Sequence, residues 1–393
     1  MENGTIEHTR LLVVASYPPE GGGGGGVIMR SLLKEYPRDR LTWLALRPDR
    51  TKRNQWYEPK VRRYVFPLYL PAKMTRFAGS WLVSKILALL EYLTAAYAYF
   101  IIIKSQPEDI LIVADSGTIL PAWRILRGNP ALRFHLSIHD DPIIGASLSK
   151  TLIDSSALDS AFAVLCKRAV TVDCISTRMA LRYKNHFGVL PIVLTRCVED
   201  SRLIAISQRP VKRSGTALNM ILSGWGDCPP PWPDNLIEAL QIIRTEQPIN
   251  LHVFDPRFRS YTEHEWVVYH EHMPEAEFDS LLAQMDLSYA PDPLTPVGRL
   301  FAATSLSTKI VTSICAGLPF IYHGPHDSTV GDLLQLEPLL GVIVESNSGQ
   351  DIATGVRSLQ VNYQERALAC RVFAKKHYSA RVLRQKFASR FDR

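Results

Sequence analysis

Short apolar runs alternate with longer stretches of helical period, and the alternation runs twice along this chain; that pattern restricts the fold more than anything else in it. In the first half, strands are predicted at residues 11–15, 41–46, 63–66, 110–114, 134–139, 171–175 and 192–194. Helices are predicted between them at 27–36, 81–104, 119–126, 152–168 and 177–187. Each helical connection is long enough to cross over a sheet, and such crossovers bring strands together in parallel. The rhythm breaks at the polar, basic stretch 208–215. It restarts with strands at 220–223, 250–254, 266–269, 287–290, 320–322 and 341–344 and helices at 235–244, 275–285 and 307–315. At 393 residues the chain exceeds one ordinary core and suits two. The expected organisation is an amino-terminal domain over 1–205, a carboxyl-terminal domain over 206–365 and an amphipathic helical tail over 366–393 that packs back on the amino-terminal domain. The expected class is α/β, two Rossmann-like, doubly wound domains facing a cleft, with ligands at the carboxyl ends of the strands.

A net charge of +7 favours an anionic partner. A nucleic-acid partner is not expected, because basic residues interleaved with aromatics occur only around 47–63. That segment, with Lys52, Arg53, Trp56, Tyr57, Lys60, Arg62 and Arg63, better suits an anionic acceptor or lipid headgroups. Residues 81–103 are apolar enough to suggest a membrane span, but Lys85 and Glu91 would be costly inside a bilayer. A buried or surface-docked helix is expected there, with monotopic membrane contact as the alternative. The six cysteines show no C-x-x-C pair, and the first apolar run is too short for a signal-peptide core. A cytoplasmic location follows, peripheral on the inner face of the membrane if residues 81–103 make that contact.

Three motifs carry candidate chemistry. Strand 11–15 runs into Gly21 to Gly26, where the backbone at Gly24 and Gly25 can approach an anionic ligand ahead of a helix; the alternative is a flexible loop without a ligand. Strand 134–139 ends in His139, Asp140 and Asp141, types that orient hydroxyls or accept a proton, while His135 reads as a core residue. The third motif is Asp286 to Pro291, then Ser307-Thr308-Lys309 opening a helix that Gly317-Leu318-Pro319 stops. Free N–H groups, the helix dipole and an ammonium at such a start all favour a diphosphate. No metal is expected: the types at His264, Glu265, His270, Glu271 and His272 have no zinc-like spacing.

This third motif resembles retaining GT-B glycosyltransferases of the group-1, or family 4, type. Their carboxyl half carries a D-x-x-hydrophobic-x-P strand, a Ser/Thr-Lys helix and an A-G-x-P step, as at Asp286, Thr308-Lys309 and Ala316-Gly317-Leu318-Pro319. Further matches are Ser176, Met179 and Tyr183, and Ser223-Gly224 followed by Asn235 to Leu240. The resemblance implies transfer of a sugar from a nucleotide-sugar donor, a UDP- or GDP-sugar, to a glycan or lipid-linked acceptor, without metal or other cofactor and with retention of configuration. It implies that His139, Asp140 and Lys309 act in catalysis and that Gly24, Gly25, Ser223, Gly224, Arg299, Thr304, Ser307, Thr308 and Thr312 bind the donor. Thr304 and Thr312 stand where the family has two glutamates. The Arg and Lys that many members place after the first carboxyl-domain strand are missing from the loop Gly226 to Pro231, so Arg299 or Lys309 is expected to supply the charge. The two threonines also admit a catalytically silent homologue that serves as a binding or partner subunit.

Overall fold

The computed structural model describes residues 9–21, 23–47, 61–68, 81–148, 155–208, 217–224 and 232–391. The chain divides into two compact units, Met1–Thr195 together with Leu383–Arg393, and Arg196–Val382.

The first unit holds a parallel sheet of β1 (Leu11–Ala15), β2 (Leu41–Ala45), β3 (Arg62–Val65), β4 (Asp109–Ala114), β5 (Phe134–Ile138), β6 (Thr171–Cys174) and β7 (Ile192–Val193), in the order β3-β2-β1-β4-β5-β6-β7. Every residue of β1, β4 and β5 is buried, as strands covered on both faces require. The chain leaves β1 towards β3, then returns to β4, so the strand order reverses between β1 and β4. Helices α1 (Gly23–Leu33), α2 (Trp81–Ser105), α3 (Ile119–Gly128), α4 (Pro142–Leu148), α5 (Ser155–Arg168) and α6 (Thr177–Phe187) make the connections.

The second unit opens with α7 (Asp200–Gln208) and builds a sheet from β8 (Leu218–Leu222), β9 (Ile249–Val253), β10 (Val267–Tyr269), β11 (Leu287–Pro291), β12 (Phe320–His323) and β13 (Gly341–Val344). Its order is β10-β9-β8-β11-β12-β13, reversing between β8 and β11. Helices α8 (Trp232–Arg244), α9 (Glu275–Leu282), α10 (Pro296–Thr304), α11 (Thr308–Ala316), α12 (Thr329–Leu336), α13 (Gly349–Gln360) and α14 (Tyr363–His377) connect and cover the strands. Leu236, Leu240 and Ile243 of α8 pack with Ile352, Val356 and Leu359 of α13 in one core, and Ile310 and Ile314 of α11 pack with Cys370 and Ala374 of α14 in another. Each fully buried aliphatic side chain of this kind contributes about 1.5–3 kcal/mol. Asp286 staples β11 to β8: its carboxylate accepts from the Asn219 amide at 2.8 Å, and its own amide donates to the Asn219 carbonyl.

Several boundaries differ from the sequence expectation. The division between units falls at Thr195 and Arg196, because α7 packs with α11 and α14 and so belongs to the second unit; residues 209–216 of the expected linker lie outside the described residues. The tail is split: α14 stays with the second unit, and only Leu383–Arg393, from within α15 (Ala380–Ala388) onward, joins the first. Helix α1 begins at Gly23 rather than 27 despite the helix cost of glycine, since Arg30 donates to the carbonyls of Pro19 at 3.0 Å and Gly21 at 2.8 Å and fixes the turn. The basic segment at Lys52, Arg53, Trp56, Tyr57 and Lys60, and the loop Gly226 to Pro231, lie outside the described residues.

At Gly26 an added Cβ would lie 1.9 Å from the Gly21 carbonyl oxygen, whereas at Gly128 it would meet nothing within 4 Å. Gly26→Ala is therefore expected to cost about 1–3 kcal/mol, and Gly128→Ala to be neutral or stabilising by up to about 1 kcal/mol. Thermal unfolding of the two variants beside the natural protein measures the difference, and equal midpoints would contradict it.

Candidate functional site

In the second unit the candidate site lies where the strand order reverses, between β8 and β11, the place where an open parallel sheet leaves a crevice. Strand β8 ends at Leu222 and is followed by Ser223 and Gly224. The Ser223 hydroxyl is buried and has no hydrogen-bond partner among the described residues. The aliphatic stem of Lys309 runs past Gly224, its Cδ and Cγ 3.5 and 3.6 Å from where a Cβ would stand. Helix α11 starts beside it: Ser307 is the N-cap, its hydroxyl accepting from the Lys309 amide at 3.3 Å. Ser307, Thr308 and Lys309 are all partly exposed, so this helix start is open to a ligand. Five of the expected residues, Ser223, Gly224, Ser307, Thr308 and Lys309, thus lie at one strand-to-helix junction.

Other expected donor contacts are engaged elsewhere. Thr312 is buried, its hydroxyl donates to the Thr308 carbonyl at 2.7 Å, and the Arg196 guanidinium donates to the same oxygen. One proton and one lone pair of that hydroxyl are therefore committed to the protein. Thr304 is buried at the end of α10. Arg299 forms an ion pair with Glu345 and also donates to the Leu294 carbonyl at 3.2 Å. Glu345, bound by the His326 amide and by Arg299, is pushed down to about 2. Lys309 is the expected cation that lies in the first turn of α11. Arg196 was not singled out in the sequence because nothing around it there reveals that it reaches α11.

In the first unit the reversal lies between β1 and β4, and it too is lined with polar groups. Ser16 donates to Asp115 across it at 2.5 Å, and Asp115 accepts from the amides of Gly117 and Thr118 at the start of α3. A Cβ on Gly25 would stand 2.8 Å from His139 Nδ1 and 3.3 Å from the Tyr17 hydroxyl. Both of those atoms are buried and lack a partner among the described residues. Burial, with the Arg390 guanidinium second, holds His139 at about 3, and burial pushes the Tyr17 phenol up. Both groups are neutral at pH 7, one an acceptor or donor nitrogen and the other a hydroxyl, set against the backbone of the glycine run. Gly24 and Asp140 are exposed beside them. Tyr17 escaped the sequence reading because it lies in a Pro-rich turn with no motif of its own.

Asp141 has a structural task. It caps α4 by accepting from the amides of Ile143 and Ile144, both at 3.1 Å, and also accepts from the Tyr183 hydroxyl at 3.2 Å. His135 has both ring nitrogens partnered, by Thr171 at 2.8 Å and Asp109 at 3.1 Å, as a core histidine should. In the His/Glu segment of the second unit, His264 stacks on Trp266, His270 on His252, and Glu271 pairs with Arg259. Among the described residues no three His, Cys, Asp or Glu side chains converge as a metal site.

No family model matches this sequence, and no curated protein matches it by sequence. Solved structures match over nearly the whole chain. HepE of Anabaena, solved with UDP and glucose, is 14% identical with a TM-score of 0.62, covering 97% of this chain and 99% of that one. The sucrose-phosphate synthase of Thermosynechococcus elongatus is 11% identical with a TM-score of 0.66, covering 97% and 98%. The lipopolysaccharide outer core galactosyltransferase WaaB is 11% identical with a TM-score of 0.60, again covering 97% and 98%. The chain has the GT-B fold these proteins share.

Among the histidines that burial holds below the ordinary value of 6.5 are His139 at about 3 and His135, His252 and His323 at about 4. The unfolded chain binds protons at these rings near pH 6.5 and the folded chain only near pH 3–4, so unfolding takes up protons in between. The stabilisation is complete above pH 6.5 and declines as pH falls towards 4. Denaturation midpoints should accordingly drop from about pH 7 to about pH 5, and a midpoint that stays level over that range would contradict the burial of these rings as neutral groups.

Proposed function

We propose that this protein is a glycosyltransferase that moves a sugar from a UDP- or GDP-sugar to a glycan or lipid-linked acceptor. The observation that carries the reading is the open start of α11, with Ser307, Thr308 and Lys309 partly exposed beside Ser223 and Gly224 at the β8–β11 reversal. In glycosyl transfer the charge that develops lies on the departing diphosphate. Helix amides, the dipole and the Lys309 ammonium stabilise that charge in place, without a metal or other cofactor. Support for nucleotide recognition comes from the fold shared with HepE, which was solved with UDP and glucose.

The amino-terminal unit receives the acceptor in this reading. His139 and Asp140 lie at the end of β5, and Gly25 brings backbone close to His139. A ring held near 3 is a feeble base, so His139 positions a hydroxyl rather than removing its proton. Retention of configuration is part of the proposal and rests on the resemblance in the carboxyl-half motifs. The second reading, a silent homologue, draws on Thr304 and Thr312 in place of glutamates and on the commitment of Thr312 to Arg196. Incubation with a panel of nucleotide sugars separates the two. Release of nucleoside diphosphate supports the enzyme, binding without release supports the silent homologue, and no binding of any member removes both.

Lys309→Ala removes a charge-assisted contact to the diphosphate, worth about 1.5–3 kcal/mol. It should weaken binding of the preferred nucleoside diphosphate by about tenfold to a hundredfold. Titration calorimetry reads this directly, and an unchanged affinity would move the donor site elsewhere.

A lipid-linked acceptor and a peripheral location, on the inner face of a membrane, draw support from α2. Residues 85–105 are long and apolar enough to cross a membrane by length and composition, and most of that stretch is not buried in the protein. One face is tied down: Glu91 pairs with Arg124 of α3 at 2.8 Å and Tyr97 packs on Phe66. Leu89, Tyr92, Leu93, Phe100 and Ile103 are exposed. Placing such a stripe against lipid suits a monotopic contact better than a span, since the docked face carries an ion pair. The protein should sediment with vesicles containing anionic lipid at low salt, and Leu89→Ser combined with Phe100→Ser should reduce the bound fraction severalfold. Absence of the natural protein from the vesicle pellet would remove the membrane from the proposal.

A further inference from the structure

Strand β5 carries His135 and Ser137 on the same face, and His139 continues that alternation just past the strand end. Parallel register sets Thr171 of β6 opposite His135 and Asp173 opposite Ser137. The result is a buried polar stripe inside an otherwise apolar sheet face. Ser137 donates to Asp173 Oδ1 at 2.7 Å, and the same Ser137 oxygen lies 3.1 Å from His139 Nε2. Into this stripe comes Arg390, from the carboxyl-terminal segment that belongs to the first unit. Its guanidinium pairs with Asp173 Oδ2 and donates to Thr171 Oγ1 at 3.1 Å and to the Leu136 carbonyl at 3.3 Å. The Arg390 and Asp173 side chains are 0% and 1% exposed, so neither is reached by solvent.

Proton counting along this row leaves one arrangement. A guanidinium stays charged, so Asp173 beside it is held as a carboxylate although burial pushes its carboxyl up. A carboxylate only accepts, and the single Ser137 proton therefore goes to Asp173. The Ser137 oxygen is left with lone pairs alone to offer, so His139 Nε2 must carry the hydrogen and donate it. The other nitrogen, Nδ1, is then bare. It is the atom packed against Gly25, beside the Tyr17 hydroxyl, with no partner among the described residues. Burial and the Arg390 charge also disfavour the imidazolium.

We propose that Arg390, acting through Asp173 and Ser137, locks His139 as its Nε2–H tautomer, so that a bare Nδ1 accepts a hydrogen bond from a hydroxyl of the bound sugar or acceptor. Arg390, Asp173 and Ser137 are positioning residues in this account, since none of them touches the ligand. The hydroxyl as ligand rests on the glycosyltransferase reading; the tautomer does not.

The test uses the full chain labelled with nitrogen-15 in histidine, with the His139 signals identified by their loss in His139→Gln. Two-bond proton–nitrogen correlations distinguish the two tautomers and the imidazolium. In the natural protein at neutral pH, His139 should show a protonated Nε2 and an unprotonated Nδ1. Asp173→Asn should reverse this, because the amide can donate to Ser137, which then turns its proton onto Nε2. Should Asp173→Asn fail to fold with Arg390 left unpaired, Ser137→Ala carries the test: Nε2 loses its acceptor, and the single tautomer should give way to a mixture. An Nδ1–H or imidazolium signal in the natural protein, or an unchanged tautomer in a folded Ser137→Ala or Asp173→Asn, overturns the proposal. With an active donor and acceptor in hand, Ser137→Ala should lower kcat/KM by about tenfold, the worth of one oriented hydrogen bond. A locked tautomer in a protein that turns over no nucleotide sugar would leave this inference standing and remove the transferase reading.

Discussion

Parallel strands buried on both faces constrain everything else in this protein. They leave no polar surface along the middle of either sheet, so chemistry is confined to the strand ends and the helix starts that follow. The reversal of strand order, between β1 and β4 in one unit and β8 and β11 in the other, spreads two successive loops apart and opens a crevice at each place. The polar groups without protein partners at the proposed ligand contacts, His139 Nδ1, the Tyr17 hydroxyl and the Ser223 hydroxyl, fall at or beside those reversals. A buried donor or acceptor left unmade costs about 1–3 kcal/mol.

The buried row from Arg390 to His139 is the exception to an apolar sheet, and it has a cost. Taking a guanidinium and a carboxylate out of water costs several kcal/mol per ion, which their attraction offsets only when the remaining hydrogen-bonding positions are also filled. Here they are filled in part: Arg390 reaches Thr171 and the Leu136 carbonyl, and Asp173 Oδ1 receives Ser137, while Arg390 Nη1 and Asp173 Oδ2 meet each other as an ion pair. An apolar pair of similar volume would hold the segment Leu383–Arg393 in place at lower cost. The pairing is therefore understood more easily as fixing a proton's position than as fixing the tail.

Element type was legible in the sequence because buried parallel strands read as unbroken apolar runs such as 11–15 and 110–114. The start of α11 was legible too, since Ser307 is a typical cap and Gly317 adopts the left-handed conformation, at φ +74°, that ends the helix. Helices α10, α12 and α13 went unread although each begins at a Thr or Ser cap, at Thr295, Ser328 and Ser348. In α10 and α12, of nine and eight residues, the apolar period is brief, but that reason does not extend to the twelve residues of α13. What no local pattern could reveal is pairing across long sequence distance. Arg390 lies 217 positions from Asp173 by subtraction of their numbers, and Arg196 lies 116 from Thr312; only the folded sheet makes them neighbours. For the same reason the hydrogen bonds of the Thr312 hydroxyl to Thr308 and Arg196 could not be read from its spacing to Gly317.

The two units also differ in how charge is used, and the difference follows from what each is proposed to hold. Beside α11 the Lys309 ammonium stands at a partly exposed helix start, where a diphosphate can be met and released through solvent. At the end of β5 the positive charge of Arg390 is buried and neutralised by Asp173, and the group presented to a ligand, His139, is neutral. A charged histidine there would bind an anion and compete with the diphosphate site for it. A neutral ring with a bare nitrogen discriminates the other way, favouring an uncharged hydroxyl and leaving the anion to Lys309. In the proposed reading, a fixed cation at one strand end suits a nucleotide and a neutral acceptor at the other suits a sugar or acceptor hydroxyl, on parallel sheets of six and seven strands respectively.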